Sequence, residues 1–236
     1  MVAERREPYS PEQEALNNLP FLVEQSIIET RDLQRQFNGF KPGTDLVNLY
    51  KKSNRYRYVY GETQRLKRQA RKSREINKLR NDFAGEVFQD IAYSVCALDC
   101  DDSRVLLSPE KTSELWITLY PDKEIVTHLY GQEALENAYV PDGLIVDKSK
   151  GLVVKLYEYS LVRMNERDLE DQLKAIRIQY ERFPWLLSEA SVEFVIPMTF
   201  PSPRLRDQED RVKFLQLPIT RVEFGHFIDG LYNGMR

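Results

Sequence analysis

The segment from Tyr139 to Leu161, YVPDGLIVDKSKGLVVKLYEYSL, constrains the chain more than any other stretch. Two runs rich in β-branched and aromatic residues flank Asp-Lys-Ser-Lys-Gly, a sequence suited to a tight reversal. Pro141-Asp142 opens the first strand, and the second ends in Glu158-Tyr159-Ser160. A connection this short makes the pair antiparallel. On the returning strand, alternation puts Val154, Leu156, Glu158 and Ser160 on one face. A carboxylate among apolar residues is costly to bury unless a metal or cation partners it. The same holds for Asp142 at its strand start. Two carboxylates on adjacent strands of one hairpin suit a hard divalent cation, which prefers oxygen ligands.

The flanking sequence predicts an α/β domain around this hairpin. Phe83, Val87, Ile91, Val95 and Leu98 form one stripe at helical spacing. SRVLLS and ELWITLYPDKEIVTHLY read as β-rich runs, and GQEALENA as a short helix or turn. After the hairpin, NERDLEDQLKAIRIQYERF reads as a long helix capped by Asn165. SVEFVIPMTF and VKFLQLPIT read as strands, and TRVEFGHFIDGLYNG as a closing helix capped by Thr220. The order implies a mixed β-sheet flanked by helices over residues 82–236. Residues 1–81 read as an N-terminal helical arm. There Ser10-Pro11-Glu12 sets a cap before a first-turn proline, Leu16, Leu19, Leu22 and Val23 follow, and Pro20 predicts two short helices instead of one long one.

The net charge of −3 and the isoelectric point near 5.6 give no global basic signature, so any nucleic-acid surface must be local. The run KKSNRYRYVYGETQRLKRQARKSREINKLR is where such a surface concentrates. Lys51, Lys52, Arg55, Arg57, Arg65, Lys67, Arg68, Arg71 and Lys72 supply phosphate-binding charge, and Tyr56, Tyr58 and Tyr60 offer rings for stacking on bases. A solvated amphipathic linker helix fits the same composition, and both readings stay open.

Several classes are disfavoured. Cys96 and Cys100 lack a second ligand pair for a zinc site and read as reduced thiols near a core. The charged N-terminus has no apolar signal core, and no apolar run approaches a membrane span, so a soluble, cytoplasmic protein is expected. No Gly-rich phosphate loop or dinucleotide fingerprint is present. His128 and His226 have no nucleophile or ligand motif beside them, Trp116 and Trp185 read as core or groove-lining, and the PSPRLRDQEDR stretch, with Arg204, Arg206 and Arg211, reads as a polar loop.

Asp142, a fifteen-residue gap and then Glu-x-Ser at 158–160 resemble the motif of the PD-(D/E)XK nuclease superfamily: Pro-Asp, a hairpin, then carboxylate-x-Lys. That family often adds an acidic residue on a helix before the hairpin, a position Glu86 matches, and a Gln on the helix after it, which Gln172 matches. The resemblance covers roughly residues 83 to 200 and implies a restriction-endonuclease-like α/β core. It further implies Mg²⁺ (or Mn²⁺) held by Glu86, Asp142, Glu158 and the Tyr159 carbonyl, with Gln172 orienting water or substrate. The implied reaction is hydrolysis of DNA phosphodiesters, by a chain that works as a homodimer where both strands are cut.

The family lysine position holds Ser160. Lys155 lies three residues before Glu158, on the opposite face unless a bulge intervenes. Lys174, on the following helix, is turned away from the Gln172 edge. A serine cannot supply a cation to the scissile phosphate. The alternative expectation is therefore a catalytically inactive nuclease-fold module that binds nucleic acid or serves as an assembly subunit.

Overall fold

The computed structural model describes residues 10–38, 46–70, 72–119, 140–161, 166–198, 211–219 and 221–233. In chain order its elements are α1 (Pro11–Phe37), α2 (Leu46–Tyr50), α3 (Asn54–Gln69), α4 (Ser73–Cys96) with a 3-10 turn at Ala97–Asp99, β1 (Arg104–Leu107), α5 (Pro109–Leu119), β2 (Gly143–Asp147), β3 (Leu152–Tyr159), α6 (Glu166–Arg182), α7 (Pro184–Leu187), β4 (Ser191–Pro197), β5 (Val212–Leu217) and α8 (Arg221–Asn233). The strands form one five-stranded sheet in the order β1-β2-β3-β4-β5, flanked by helices. β1 to β3 form an antiparallel meander. Ser191 Oγ donates to the Val154 carbonyl at 3.5 Å and the Ser160 N–H to that of Val195 at 3.0 Å. Both partners climb together, so β4 runs parallel to β3 after the α6 crossover, and the sheet is mixed.

The chain divides into two compact units. The first comprises Met1–Thr30, Cys100–Tyr157 and Asn165–Val192; the second comprises Arg31–Asp99, Glu158–Met164 and Glu193–Arg236. In the first, α5 packs on β1 and β2 and buries Leu115, Trp116 and Leu119. Val105, Leu106, Leu144, Ile145, Val146 and Val153 complete that core, each large aliphatic contributing about 1.5–3 kcal/mol. β1 is an edge strand, and α1 closes its edge. The Thr30 hydroxyl accepts from the Leu106 N–H at 3.2 Å and donates to the Leu106 carbonyl at 3.3 Å. An ion pair from Lys111 to Glu29 at 2.9 Å holds α5 to the same helix.

In the second unit, α4 is the central element. Phe83, Val87, Phe88 and Ile91 bury one face of it, and Phe88 meets Phe224 of α8 edge-on at 6.1 Å. Arg80 and Asp229 pair across the same two helices. α3 packs on α4 through Val59 and Thr63.

Several expectations need correction. α1 is one helix, with Pro20 inside it. A proline inside a helix, which removes one N–H donor and crowds the preceding turn, costs roughly 3 kcal/mol, but Ala15, Leu19 and Leu22 are buried on either side of it and hold the helix across it. Residues 114–119 of the second β-rich run lie in helix α5, because Ser108 caps the chain ahead of them: its Oγ accepts the Lys111 N–H and its carbonyl the Thr112 N–H. The helix expected from Phe83 begins at Ser73 and runs unbroken past the 81/82 boundary between the expected arm and core. Tyr139, GQEALENA, residues 120–130, His128, the Asn165 and Thr220 caps, Arg204 and Arg206 lie outside the described residues.

The edge contact gives a direct test. Thr30→Val keeps the shape but leaves the Leu106 N–H and carbonyl without their hydroxyl partner, and should cost about 1–3 kcal/mol in urea unfolding. A change within a few tenths of a kcal/mol would mean that the hydroxyl is not what closes this edge.

Candidate functional site

The hairpin of β2 and β3 takes its geometry from its turn. Asp147 Oδ1 accepts the Ser149 N–H at 2.9 Å, the Ser149 hydroxyl at 2.6 Å and the Lys150 N–H at 3.2 Å. These bonds hold the Asp147 carboxyl below its ordinary value, the Ser149 hydroxyl contributing most. Gly151, at φ +64°, supplies the left-handed residue that returns the chain. The ladder then pairs Asp147 with Leu152 and Val146 with Val153, and further on Ile145 with Lys155, Leu144 with Leu156 and Gly143 with Tyr157. Val154 is the extra residue of a bulge.

That register decides two expectations about the strands. The Asp142 N–H donates to the Tyr157 carbonyl at 3.0 Å, so the pairing continues past Gly143. One step either side of the Gly143–Tyr157 pair, Asp142 and Glu158 leave the same face of the hairpin. Asp142 is half-buried, and Glu158 is only 8% exposed. The bulge lies before Lys155, not between Lys155 and Glu158, so alternation carries Lys155 to the opposite face. There its Nζ sits 5.4 Å from the Tyr157 ring centroid. Ser160 continues the Glu158 face and is fixed by its backbone bond to Val195.

The remaining acidic candidate has different company. Asp142 and Gln172 belong to the first unit, Glu86 and Glu158 to the second. Glu86 stands on α4 between Asp82 and Asp90, all at four-residue spacing on one helical face. Partial burial raises its carboxyl above the ordinary value, the Asp90 charge adds to this, and Arg55 opposes it. Asp90 anchors the group: Tyr50 Oη donates to its Oδ2 at 2.6 Å and Arg55 Nε to its Oδ1 at 3.0 Å. Burial, followed by the charge of Asp90, raises the Tyr50 phenol far above its usual range. Sequence reading missed Asp90 and Tyr50, although the spacing of Asp82, Glu86 and Asp90 was visible. Among the described residues, no three His, Cys, Asp or Glu side chains gather into a group that could hold a metal.

Gln172 lies on α6, partly buried. Its Oε1 is enclosed and has no hydrogen-bond partner among the described residues, and a buried acceptor of this kind costs about 1–3 kcal/mol when left unmet. Lys174, two residues on, is exposed.

The basic run forms α3 and the start of α4. Lys51 and Lys52 occupy the exposed turn before α3, with Lys51 Nζ 5.0 Å from the Phe227 ring centroid. Arg55 is bound to Asp90 and also stacks over Tyr58, and Arg65 pairs with Glu62 at 2.8 Å. Lys67 is half-buried, and Lys72 is the exposed N-cap of α4; Arg71 lies outside the described residues. Arg57 and Arg68 are exposed without a carboxylate partner among the described residues, Arg68 reaching only Gln64 at 3.5 Å. Of the three tyrosines, Tyr56 and Tyr60 pack on each other at 5.6 Å, and Tyr56 meets Tyr50, whereas Tyr58 is exposed. Gly61 sits mid-helix on the exposed side, where an added Cβ would meet nothing within 4 Å. Glycine costs about 1 kcal/mol there relative to alanine, with no packing reason for it.

No protein-family model, curated protein or solved structure matches the chain. No helix among the described residues is long and apolar enough to cross a membrane.

The Glu86 environment yields a pH test with a definite sign. Its carboxyl holds a proton to higher pH when folded than when unfolded, so ionised Glu86 opposes folding above that range. The opposition fades as pH falls to the unfolded value of about 4.3. Glu86→Gln should raise the thermal midpoint at neutral pH, with the gain shrinking as the buffer approaches that value. A gain of equal size at both ends would rule out ionisation as its source.

Proposed function

We propose that the chain is a nuclease-like protein with a restriction-endonuclease-like core, acting on DNA, whose β2–β3 hairpin presents Asp142 and Glu158 to a divalent cation. The observation that carries this reading is the register that sends both carboxylates off one face, with Glu158 largely withdrawn from water. Mg²⁺ is commonly bound through one or two protein carboxylates, with waters and substrate phosphate completing its shell, so the pair is chemically sufficient. Asp142 and Glu158 would hold the ion, with the Tyr159 carbonyl as a further oxygen donor. When bound, Mg²⁺ or Mn²⁺ would lower the pKa of a coordinated water and offset charge on the phosphate. In this reading Gln172, with its enclosed Oε1, would be the residue that orients water or substrate. Glu86 is the weakest member of the carried-over set, since its described neighbours are Asp82, Asp90, Glu62 and Arg55.

One observation favours the second reading, a catalytically inactive module. With Ser160 at the motif position and Lys155 on the opposite face, neither residue supplies a cation on the carboxylate side. Loss of one electrostatic stabiliser of this kind typically costs a factor of about 10²–10³ in rate.

Three variants separate these readings. Calorimetric titration with Mg²⁺ and Mn²⁺ in the presence of duplex DNA should give a signal that Asp142→Ala and Glu158→Gln both abolish. Ser160→Lys should raise cleavage of linear and circular DNA by roughly 10²–10³ if a missing cation is all that limits the reaction. Metal binding unaffected by Asp142→Ala would overturn the hairpin site. Metal binding without cleavage, even in Ser160→Lys, would establish the inactive module.

A further inference from the structure

The cations of α3 fall into two chemical classes, and the difference locates a surface. Arg55 and Arg65 each have a carboxylate partner, Asp90 and Glu62. Arg57 and Arg68 have none among the described residues, and they share a stripe with Gly61 and Gln64, at successive spacings of four, three and four residues. At ~100° per residue this stripe lies on the side of α3 away from buried Val59. We propose that Arg57, Gly61, Gln64 and Arg68 form a docking strip for the sugar-phosphate backbone of double-stranded DNA. The proposal rests on the nucleic-acid reading above and not on the hairpin carboxylates.

Three observations select this partner. Two guanidinium groups held on one rigid face, about 16 Å apart along the axis, supply the forked donors that match phosphate oxygens. Between them, Gly61 leaves open space where any side chain would hold a backbone away, which is a use for a glycine that packs against nothing. Lastly, the strip carries no apolar side chain. A protein partner draws most of its affinity from buried aromatic and aliphatic anchors, whereas phosphate contacts need charge, donors and close approach. Single-stranded nucleic acid would need a series of stacking rings, but Tyr56 and Tyr60 are packed on each other, which leaves only Tyr58 of the three exposed, with Arg55 over its ring.

Anisotropy titrations of a labelled DNA duplex with the full chain, across a series of salt concentrations, test the strip. The double variant Arg57→Glu/Arg68→Glu should weaken binding at least roughly tenfold and flatten the salt slope by about two contacts. Arg65→Glu, at a position paired with Glu62, should change it far less. Gly61→Leu should weaken binding roughly tenfold while leaving the melting curve unlowered, since the new side chain has room in the free protein. The titrations run in EDTA without divalent cation, so duplex binding by the strip does not pass through the hairpin carboxylates and failure of the hairpin reading remains distinguishable. Absence of duplex binding by the wild type, or wild-type affinity in both strip variants, would overturn the proposal. So would equal binding of polyglutamate, which would assign the strip to an acidic protein.

Discussion

Asp147 and Gly151 set a register on which every statement about the β2–β3 carboxylates depends. The carboxylate of Asp147 gathers three donors inside the turn, and Gly151 adopts the left-handed backbone that closes it. A slip of one residue would move every side chain of one strand to the other face. The Val154 bulge makes such a shift, but only for the turn-proximal half of β3. Its position matters more than its presence. Set between Lys155 and Glu158, a bulge would have brought the lysine to the carboxylate face; set before Lys155, it leaves the two apart.

The second unit is organised around a different carboxylate. Asp90 is engaged by a buried tyrosine and an arginine, and so ties α2 and the start of α3 to α4. Holding one ionised group in this way has a consequence one turn away. Glu86 must carry its charge beside Asp90 with Arg55 already committed, so the arrangement that stabilises one carboxylate penalises the next. A residue matched to a metal-ligand position by sequence order alone can thus have an electrostatic role within its own helix pair.

How much of this was legible can be argued from one triplet. Ser-Pro-Glu occurs at Ser10-Pro11-Glu12 and again at Ser108-Pro109-Glu110, and each instance starts a helix with the serine hydroxyl accepting the N–H three residues on. The first was read as a cap. The second passes unread beside the β-branched and aromatic residues of ELWITLY, which bury one side of a helix as readily as one face of a strand. Period alone does not separate these cases in so short a run. Pro20 was misjudged for the opposite reason, a strong local signal yielding to burial on both sides of it. The hairpin, the α6 crossover helix and the strands beginning at Ser191 and Val212 were legible, because turn chemistry and apolar pattern agreed there.

The basic run shows a limit that no composition argument removes. Lys and Arg density in the sequence makes all its members equivalent, yet their partners are set by the fold. Arg65 finds Glu62 three residues away, a pairing visible in the sequence, whereas Arg55 finds Asp90 thirty-five residues on. A paired arginine contributes less to a polyanion surface, because its carboxylate must be displaced or carried into the contact. The number of cations therefore overstates the electrostatic surface of α3, and the count that matters is of those left unopposed on one face. In α3 that face also holds the one glycine of the helix, so close approach and unopposed charge coincide along the same stripe.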